Sequence, residues 1–343
     1  MDIAVVILNW NGLEMLKRYL PSVVRTTAAF GGGDSGDAAF TVVADNGSTD
    51  GSAAYVAAHH PEVTWLPFDR NYGFAEGYNR AIALTEADCV VLLNSDVEVT
   101  PGWLGPLLAR MEADGRVAAV MPRLRAVADR TKFEYAGAAG GFIDRYGYAF
   151  CRGRIFGEVE TDAGQYDDAR EVFWATGACC AVRREAYLAA GGLDAFFFAH
   201  MEEIDLCWRM KNAGWTVWCE PASTVYHVGG GTLPQNNPYK TFLNYRNNLL
   251  MLYKNLPQGR CWSTLLCRMV MDGISAFRVL FSKGGPASFA AIVKAHVAFW
   301  RAVPRYRRQM KGQARPEGWP SQMVHRSVVS AHFLHGIKKF SDL

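Results

Sequence analysis

The first 122 residues alternate short apolar runs with amphipathic segments, and this alternation restricts the fold more than any other feature of the chain. The apolar runs predicted to be strands are 3–8, 40–45, 63–67, 89–93 and 117–121. The segments predicted to be helices are 13–25, 52–59, 73–84 and 103–113. Strands that are apolar throughout and separated by helices are typical of a parallel sheet covered on both faces. The pattern therefore predicts an α/β fold whose ligands bind at the carboxyl ends of the strands.

The chain beyond residue 122 follows a different pattern. Residues 123–183 are rich in glycine, aromatic residues and arginine, which predicts a region of mixed sheet or an insert that faces a substrate. The elements predicted next are helices near 184–190 and 202–213, strands at 216–219 and 224–227, and helices from about Tyr239 onward. We therefore expect one domain over 1–255, with halves at 1–122 and 123–255. A helical, basic extension is expected over 256–343.

Composition limits the class of protein. Of the 343 residues, 50% are hydrophobic and 20% are charged, which fits a soluble globular protein and not a disordered one. The net charge of +3 is too small to indicate nucleic-acid binding, and no nucleic-acid partner is expected. No apolar run reaches about 18 residues, and the N-terminal run is short and lacks a basic flank. The sequence thus predicts neither a spanning helix nor a signal peptide, and we expect a cytoplasmic protein.

Two further features could suggest a metal or phosphate site, but both lack the required context. None of the eight cysteines forms a pair with the spacing of a zinc site, so we interpret all of them as reduced and structural. The glycine-rich segment 31–36 follows a predicted helix and precedes a predicted strand. A phosphate-binding loop has the reverse order, so this segment is interpreted as a flexible connector.

Polar residues and glycines follow four of the predicted strands, at the point where each strand ends. The candidate donor-binding residues at these ends are Asn9, Asn11, Asp45, Asn46, Ser48, Asn71, Gly73, Phe74, Asn79, Asn94 and Ser95. Each cluster alone also fits ordinary turns and helix caps, as Ser48 and Asp50 do ahead of a predicted helix. Because the carboxyl ends of parallel strands meet at one edge of a sheet, we expect the four clusters to line one crevice.

Asp96 comes shortly after the apolar run that begins at Val90. A divalent cation held by such a carboxylate could neutralise the charge of a nucleoside-diphosphate leaving group. Asp45 ends its own strand in the same way and could accept a hydrogen bond from a nucleobase N–H. These two acids suggest a site for a nucleoside diphosphate with a bound metal ion.

Taken in order, these motifs resemble those of family 2 glycosyltransferases, which have the GT-A fold, and in particular those of bacterial rhamnosyltransferases. The later motifs that carry the resemblance are Trp174-Ala175-Thr176-Gly177, Gly191-Gly192-Leu193-Asp194, Glu202-Glu203-Ile204-Asp205-Leu206 with Arg209, and His227 with Gly229-Gly230. The resemblance covers about residues 1–255. It implies a mixed, mostly parallel sheet flanked by helices, a nucleotide-sugar donor, and Mg²⁺ or Mn²⁺ as cofactor.

The resemblance also implies roles for individual residues. It places Asp45 on the nucleobase, and Asp96 with His227 on the metal; a core or surface histidine is the alternative for His227. The Asp-x-Asp motif of the family reads Asn94-Ser95-Asp96 here, so an amide, which is a poorer metal ligand, replaces the first carboxylate. The residues assigned to the acceptor are Trp174, Thr176, Gly177, Glu202 and Arg246. Trp174 fits a sugar-stacking residue and a core residue equally well.

Three acids compete for the role of catalytic base. If residues 201–213 are helical, Glu202, Asp205 and Arg209 share one face and can pair with one another, which favours a structural role for both acids. Glu203 instead shares its face with apolar residues such as Leu206 and Met210. Burial there would raise the pKa of its carboxyl group and strengthen it as a base. The family resemblance also points to Glu203, as the base of an inverting single displacement.

The C-terminal region combines positive charge with apolar residues. Between Lys294 and Arg315 there are seven basic residues and no acid, with aromatic and aliphatic residues among them. The earlier stretch 262–281 is also largely apolar, so we expect the region after about residue 260 to associate with a membrane. Such helices bind anionic membrane surfaces, although a solvated basic face packed on the domain is a close alternative. A lipid-linked acceptor, with its phosphate groups, would suit the membrane interpretation, and Arg246 is a further candidate for a phosphate contact.

The sequence favours transfer of rhamnose from dTDP-rhamnose, or of a hexose from a UDP-sugar, to a glycan or lipid-linked acceptor. Two alternatives stay open. A nucleotidyltransferase would have a similar sheet and metal, but it needs a basic glycine-rich loop where this chain has Asn9-Trp10-Asn11-Gly12. A non-catalytic protein that binds sugar nucleotides would need neither Glu203 nor an acceptor cleft.

Overall fold

The computed structural model describes residues 1–30, 38–229, 237–281 and 285–343. The connector predicted at 31–36, together with Gly230 and Gly231, lies outside these ranges. Among the described helices, none is long and apolar enough to cross a membrane. All eight cysteines are free thiols, and Cys267 is the exposed one.

Four parallel strands form the first part of the central sheet. They are β1 (Ile3–Asn9), β2 (Ala39–Asp45), β3 (Thr64–Pro67) and β4 (Cys89–Asn94), in the spatial order β3-β2-β1-β4. The helices that connect them are α1 (Leu13–Phe30), α2 (Ser52–His59) and α3 (Gly73–Ala83). β1 and β4 are buried along almost their whole length, as their unbroken apolar runs predict. The register pairs Asn9 with Asp45 and Leu8 with Asn94, so the polar strand ends meet at one edge.

The rest of the chain extends this sheet and adds a second one. The remaining strands are β5 (Val97–Val99), β6 (Val117–Ala126), β7 (Gly141–Asp144), β8 (Ala149–Cys151), β9 (Arg154–Ile155), β10 (Glu158–Val159), β11 (Arg170–Glu171), β12 (Cys179–Arg183), β13 (Thr216–His227) and β14 (Met323–Val324). The remaining helices are α4 (Leu104–Ala113), α5 (Arg184–Ala189), α6 (Glu202–Asn212), α7 (Pro238–Asn255), α8 (Gln258–Leu280), α9 (Gly285–Gln309) and α10 (Val328–Phe333), with 3₁₀ turns at Ala195–Phe197 and Phe340–Asp342.

The central sheet is mixed and mostly parallel, as expected. Its order is β11-β13-β6-β12-β4-β1-β2-β3, with β5 paired to β13. β12 runs antiparallel between β4 and β6, while β13 runs parallel to β6. The second sheet has the order β10-β9-β8-β7-β14 and accounts for part of the region 123–183, where mixed sheet was predicted.

Residues 216–227 form one strand, whereas the sequence predicted two. The register of β13 against β6 shifts between Glu220 and Thr224. The shifted segment includes Pro221, which has no N–H to donate to a neighbouring strand and is tolerated at such an irregularity. The predicted break is therefore a bulge within a continuous strand that ends at His227.

The last part of the chain differs from the helical extension that was predicted. After α9 the chain returns to the second sheet, where β14 pairs in parallel with β7. The backbone N–H of Val328 donates to Asp144 Oδ2 at 3.0 Å, and the ring of Phe340 packs on Phe142 with 4.9 Å between centroids. A two-residue strand depends on its partner and has no periodicity of its own, so helical pattern matching missed it.

Asp205 is a fully buried carboxylate that links α6 to α7. Its Oδ2 accepts hydrogen bonds from Arg209 Nε at 2.9 Å and from Lys254 Nζ at 2.8 Å, and its Oδ1 accepts one from Asn255 Nδ2 at 2.8 Å. Burial acts to raise the pKa of Asp205, but the two cations and Asn255 outweigh burial and lower it. The helical spacing predicted the Arg209 contact; the α7 partners could not be predicted from local sequence.

We predict that Asp205→Asn lowers the free energy of unfolding by about 3 kcal/mol, because Arg209 and Lys254 lose their shared buried countercharge. Since the pKa is lower in the folded state, this stability should be present near pH 7 and lost as the pH falls below about 4. Chemical denaturation at several pH values measures both effects. The control is Glu14→Gln, which removes a surface pair with Lys17 and should leave the unfolding midpoint unchanged. Equal stability of Asp205→Asn and the wild type would contradict the prediction.

Candidate active site

The ends of β1 and β2 are joined by a buried polar cluster. Asn9 Nδ2 donates to Asp45 Oδ1 at 3.0 Å and to Ser48 Oγ at 3.1 Å. The backbone N–H of Ser48 donates to Asp45 Oδ2 at 3.0 Å. Asn9 Oδ1 is also buried, and it has no hydrogen-bond partner among the residues that the structure describes. These contacts bring together three of the predicted donor-binding residues, and they orient the Asp45 carboxylate.

Asn11 and Asp50 tie the loop after β1 to the loop after β2. Asn11 has a left-handed backbone (φ 48°), which asparagine tolerates better than most residues, and its Oδ1 accepts from the Thr49 N–H at 2.8 Å. Asp50 Oδ2 accepts from the N–H of Leu13, the first residue of α1, at 2.8 Å. Burial acts to raise the pKa of Asp50, but hydrogen bonds from Ser52 and Leu13 outweigh it and lower the pKa. Asp50 is therefore a helix cap, the alternative that the sequence left open.

Asn46 and Gly73 shape the loop between β3 and α3. Asn46 Nδ2 donates to Asn71 Oδ1 and to the Gly73 carbonyl, both at 3.0 Å, and its Oδ1 accepts from the Tyr72 N–H at 2.9 Å. Gly73 has φ +79°, and a Cβ there would lie 2.5 Å from the Phe198 ring. The hydrogen bonds of the Asn46 side chain thus all go to this loop. The absence of a side chain at Gly73 allows the Phe198 ring to approach the loop closely.

Asn79 does not have the donor-binding position that was predicted. Its Nδ2 donates to the Leu193 carbonyl at 2.8 Å, and its Oδ1 accepts from the Leu193 N–H at 2.9 Å and from Tyr187 Oη at 2.6 Å. These three bonds use the amide to fasten α3 to the turn after α5. Its position shortly after Gly73 in α3 had suggested that it lines the crevice. Its side chain instead contacts Leu193 and Tyr187.

The loops after β1, β4 and the segment before β12 meet at one place. A Cβ on Gly12 would lie 3.6 Å from Ser95 Oγ and 2.5 Å from Asn9 Oδ1. The backbone N–H of Asn94 donates to the Ala178 carbonyl at 2.9 Å. The Asn94-Ser95-Asp96 motif therefore lies between the Asn9 cluster and the segment that contains Gly177.

Asp96 and His227, the two predicted metal ligands, are in contact. His227 Nε2 lies 3.1 Å from Asp96 Oδ1, and the imidazole is buried. Two ligand atoms of one octahedral cation lie about 3 Å apart, so this spacing fits a shared Mg²⁺ or Mn²⁺. Within the described ranges, no group of three His, Cys, Asp or Glu side chains is placed to hold a metal ion. A cation held by this pair would therefore take its other ligands from substrate and water.

Glu134 is a third member of this cluster that sequence analysis missed. Its Oε2 lies 3.4 Å from His227 Nδ1, although Nδ1 makes no hydrogen bond within the described part of the chain. Burial acts to lower the pKa of His227, but its contacts with Asp96 and Glu134 outweigh burial and raise the pKa to about 10. The metal-free imidazole is therefore protonated at neutral pH. Glu134 follows no predicted strand end, so no local signal could have identified it.

A strained loop leads into α6 and the predicted base. Phe198, His200 and Met201 have φ values of 65°, 70° and 71°, a left-handed region that side chains of this size rarely adopt. A side chain of α7 stabilises this loop: Asn247 Nδ2 donates to the carbonyls of Phe197, Ala199 and His200 at 2.8–3.0 Å. The Phe198 carbonyl accepts from Phe74 N–H at 2.9 Å. Strain of this kind is concentrated at functional sites.

The acids at the start of α6 lie in different surroundings. Glu202 is buried and Glu203 is half-buried, and one oxygen of each (Oε2) has no hydrogen-bond partner in the described chain. Burial raises the pKa of Glu203 to about 7. Burial and the neighbouring Glu203 charge raise the pKa of Glu202 well above its usual range. The expected pairing of Glu202 with Arg209 is wrong, because Arg209 pairs with Asp205. The contact of Glu202 with the acceptor stays a prediction, and its side chain is buried.

Of the other acceptor candidates, Gly177 lies at the site. A Cβ on Gly177 would meet the Phe74 ring at 3.0 Å and lie 3.9 Å from Glu203 Cβ. Trp174 is a core residue instead of a sugar-stacking one: its ring is buried against Gly141, and Nε1 donates to the Phe142 carbonyl at 2.9 Å. Thr176 is also buried, and its Oγ1 accepts from the Ala178 N–H at 3.2 Å.

Arg246 supports the strained loop and is not free for a phosphate group. Its Nη2 donates to the carbonyls of Phe196 and Phe197 at 2.9 and 3.1 Å, and its Nε donates to Asn247 Oδ1 at 2.9 Å. The guanidinium group also lies over the rings of Phe196 and Phe242. The predicted acceptor contact is therefore replaced by a structural role.

Comparison with known proteins agrees with this geometry. A family model described as "Glycosyl transferase family 2" matches residues 4–189. The N-acetylglucosaminyl-diphospho-decaprenol L-rhamnosyltransferase of Mycobacterium tuberculosis is 31% identical over an alignment of 204 residues, and the alignment covers 54% of this chain and 65% of that protein. The chain thus spans just under two thirds of the length of this relative. The low-salt glycan biosynthesis hexosyltransferase Agl10 of Haloferax volcanii is 21% identical over 85% of this chain and 90% of its own.

Solved structures share the fold at low sequence identity. GalNAc-T7, crystallised with UDP, GalNAc and Mn²⁺, superposes with a TM-score of 0.58 at 15% identity and covers 99% of this chain and 55% of its own. Residues 1–349 of TarS from S. aureus, in complex with UDP-GlcNAc, superpose with a TM-score of 0.57 at 13% identity and cover 89% and 83% of the two chains. These likenesses establish the GT-A fold for the chain.

We predict that binding of one Mn²⁺ releases close to one proton at pH 7, because a metal-bound His227 must lose the proton that its raised pKa retains. Calorimetric titrations in two buffers of different ionisation enthalpy, with UDP or dTDP present, measure the number released. The matched variant His227→Gln keeps a polar side chain but has no proton to lose, so it should bind Mn²⁺ more weakly and without proton release. Mn²⁺ binding to the wild type with no proton released would exclude His227 as a ligand.

Proposed function

The chain belongs to glycosyltransferase family 2, and on that premise we propose that it transfers a sugar from a nucleoside-diphosphate donor to a hydroxyl group of a saccharide acceptor. One observation carries this proposal: a single short segment separates the Asp96–His227 pair from Glu203, whose carboxylate is half-buried and lacks a cation partner in the described chain. The two are connected through the segment Gly177-Ala178, which contacts Glu203 on one side and Asn94 on the other.

We assign the donor to the crevice between β1, β2 and β4. Asp45 is oriented by Asn9 and Ser48 and would accept a hydrogen bond from the nucleobase. The unpaired acceptor Asn9 Oδ1, near Gly12 and Ser95, supports this assignment, because a buried acceptor without a partner costs about 1–3 kcal/mol. The name of the mycobacterial relative favours rhamnose from dTDP-rhamnose, and a hexose from a UDP-sugar is the second candidate.

In the proposed reaction Glu203 accepts the proton of the acceptor hydroxyl as its oxygen bonds to the anomeric carbon. The bond from that carbon to the diphosphate oxygen breaks at the opposite face, and its electron pair leaves with the diphosphate, so the configuration inverts. Asp96 Oδ1 and His227 Nε2 would hold Mg²⁺ or Mn²⁺, which when bound supplies positive charge to the leaving group. Burial and the Glu203 charge raise the pKa of Glu202 well above its usual range, whereas Glu203, with a pKa of about 7, is the carboxylate available as a base.

We propose a lipid-linked saccharide as the acceptor, since the name of the mycobacterial relative gives a diphospho-decaprenol acceptor for that protein. The polar end of such a molecule lies at a membrane surface, so we place the reaction at the cytoplasmic face of the membrane. The basic residues after Lys294 support this location by their charge, because anionic lipids attract them.

A panel of sugar nucleotides tests the function. The purified protein should slowly hydrolyse one of them, with dTDP-rhamnose and UDP-sugars as the first candidates, when Mn²⁺ or Mg²⁺ is present. Excess EDTA should abolish hydrolysis, added metal should restore it, and Asp96→Ala and His227→Ala should each lower the rate at least about tenfold. Full activity in excess EDTA would exclude the metal, and a protein that turns over no member of the panel would argue for binding without catalysis.

We predict that Glu203→Gln lowers turnover at least about a hundredfold while donor affinity stays near that of the wild type, because the amide cannot accept the proton. In the wild type, kcat/KM should rise as the pH increases through about 7, where Glu203 loses its proton. The variant should lack this rise. Steady-state rates and donor binding, measured between pH 5.5 and 8.5, separate the two effects.

Glu202→Gln is the matched control for Glu203→Gln. Because burial raises the pKa of Glu202 and so favours its neutral form, a glutamine of nearly the same shape should fold and turn over normally. Loss of activity in Glu202→Gln with normal activity in Glu203→Gln would show that Glu202, and not Glu203, is the base, and it would overturn the mechanism.

A further inference from the structure

Helix α8 exposes a row of large apolar side chains to solvent. The members, which we call the apolar stripe, are Trp262, Leu266, Val270, Ile274, Phe277 and Phe281, each between 53% and 75% exposed. They recur every three or four residues, so they lie on one face of the helix and extend over about 29 Å. Exposed apolar surfaces of this extent mark sites where a partner or a membrane binds.

The opposite face of α8 is buried and contains an ion pair, which fixes the orientation of the stripe. Arg268 and Asp272 form an ion pair at 2.7 Å and are at most 5% exposed. Arg268 also donates to Asn248 Oδ1 on α7 at 2.5 Å, and Asp272 Oδ2 lies 3.2 Å from His296 on α9. Rotating α8 to bury the stripe would expose this network and separate its charges. The apolar stripe therefore faces outward because the polar contacts hold it there.

The charge around the stripe is positive. Helices α8 and α9 contain one acid, Asp272, and it is buried. Exposed cations lie at both ends of α8 (Arg260 and Arg278) and along α9. The exposed cations of α9 include Lys294, Arg301, Arg305, Arg307 and Arg308. An apolar face bordered by cations and free of exposed acid is complementary to an anionic bilayer surface, where apolar side chains enter the acyl region and cations meet the headgroups.

We propose that the apolar stripe of α8 is the membrane-binding surface of this protein, and that α8 lies in the plane of an anionic bilayer with the stripe inserted. This proposal goes beyond the proposed sugar transfer. Of the proposed function, it depends only on the location at a membrane. It narrows the expectation that the region after about residue 260 binds a membrane, because Phe299 and Tyr306 of α9 are buried in the protein while the stripe of α8 is exposed. In this proposal α8 inserts its apolar side chains and α9 supplies charge.

The apolar surface continues from the stripe toward the active site. Trp262 stacks on Trp300 of α9, with 6.0 Å between ring centroids and 5° between planes. Beyond α9, a groove lined by Phe196, Phe242, Val293, Val297 and Arg305 lies between α9 and α7. Aromatic contacts connect the groove to the strained loop ahead of Glu203. Phe242 stacks on Tyr239, and Tyr239 packs edge-on against Phe198. A bilayer under the stripe would therefore present lipid-linked molecules near the active site.

Flotation with lipid vesicles tests the proposal. The wild type should float with vesicles that contain phosphatidylglycerol and stay in solution with purely zwitterionic ones, and part of the binding should persist at about 1 M NaCl, where charge attraction is screened. Leu266→Glu with Ile274→Glu should reduce the bound fraction at least tenfold. The control is Leu84→Glu, an equally exposed leucine outside α8 (65% against 66% for Leu266), and it should float like the wild type. Binding that salt removes completely, or that the stripe variant retains, would overturn the proposal.

Cys267 provides a second readout in the unaltered protein, because it is the exposed one of the eight cysteines and adjoins Leu266. Anionic vesicles should slow its reaction with a charged maleimide at least tenfold. Slowing without vesicles as the protein concentration rises would assign the stripe to a second copy of the chain and overturn the membrane proposal. Donor hydrolysis without vesicles should be unchanged in Leu266→Glu with Ile274→Glu. Failure of the membrane proposal and failure of the proposed reaction are thus separate results.

Discussion

The central constraint on this molecule is that β1 and β4, neighbouring strands of the parallel part of the sheet, are largely buried and are apolar until their last residue, so their polar side chains come only where the strands end. Asn9, Asp45 and Asn94 are each the last residue of their strand, and the register places them at one edge. The segment just before the antiparallel strand β12 lies at the same edge, since the Ala178 carbonyl accepts a hydrogen bond from the Asn94 N–H. His227 ends β13 beside β5, which follows Asp96 directly. The crevice is thus a consequence of where the strands end, and its chemistry depends on the few polar residues placed there.

Three carboxylates on one turn of α6 show how environment separates their protonation. Asp205 is fully buried, but Arg209 and Lys254 reach it, so its pKa falls. Glu202 is buried without a cation, so its pKa rises far. Glu203 is half-buried at the edge of the crevice, and its pKa lies near 7. Since each cation is committed to Asp205, the same network that stabilises the junction of α6 and α7 leaves Glu203 able to accept a proton at neutral pH.

The sequence predicted most of the first half of the fold, because continuous apolar runs and helical periodicity are local signals. α2 has the predicted bounds, and β1 and β4 end within one residue of prediction. Long-range contacts limited the rest. Asn79 and Trp174 have the residue types of a sugar site, yet partners more than 30 residues away bind them into the scaffold. Glu134 contacts His227, and β14 pairs with β7, only because folding brings together segments that are far apart in the sequence.

Helix α7 connects the features that lie outside the sheet. Asn247 holds the strained loop ahead of Glu203, while the next residue, Asn248, accepts a hydrogen bond from Arg268 on α8. Asn248 Nδ2 also donates at 2.6 Å to the carbonyl of Gly147, which lies between β7 and β8 of the second sheet. Both amides are almost completely buried, where a broken hydrogen bond costs about 1–3 kcal/mol, so α7 cannot shift relative to either neighbour without loss of stability. The strained loop ahead of the base and the helix that exposes the apolar stripe are therefore held in one fixed arrangement by two consecutive asparagines.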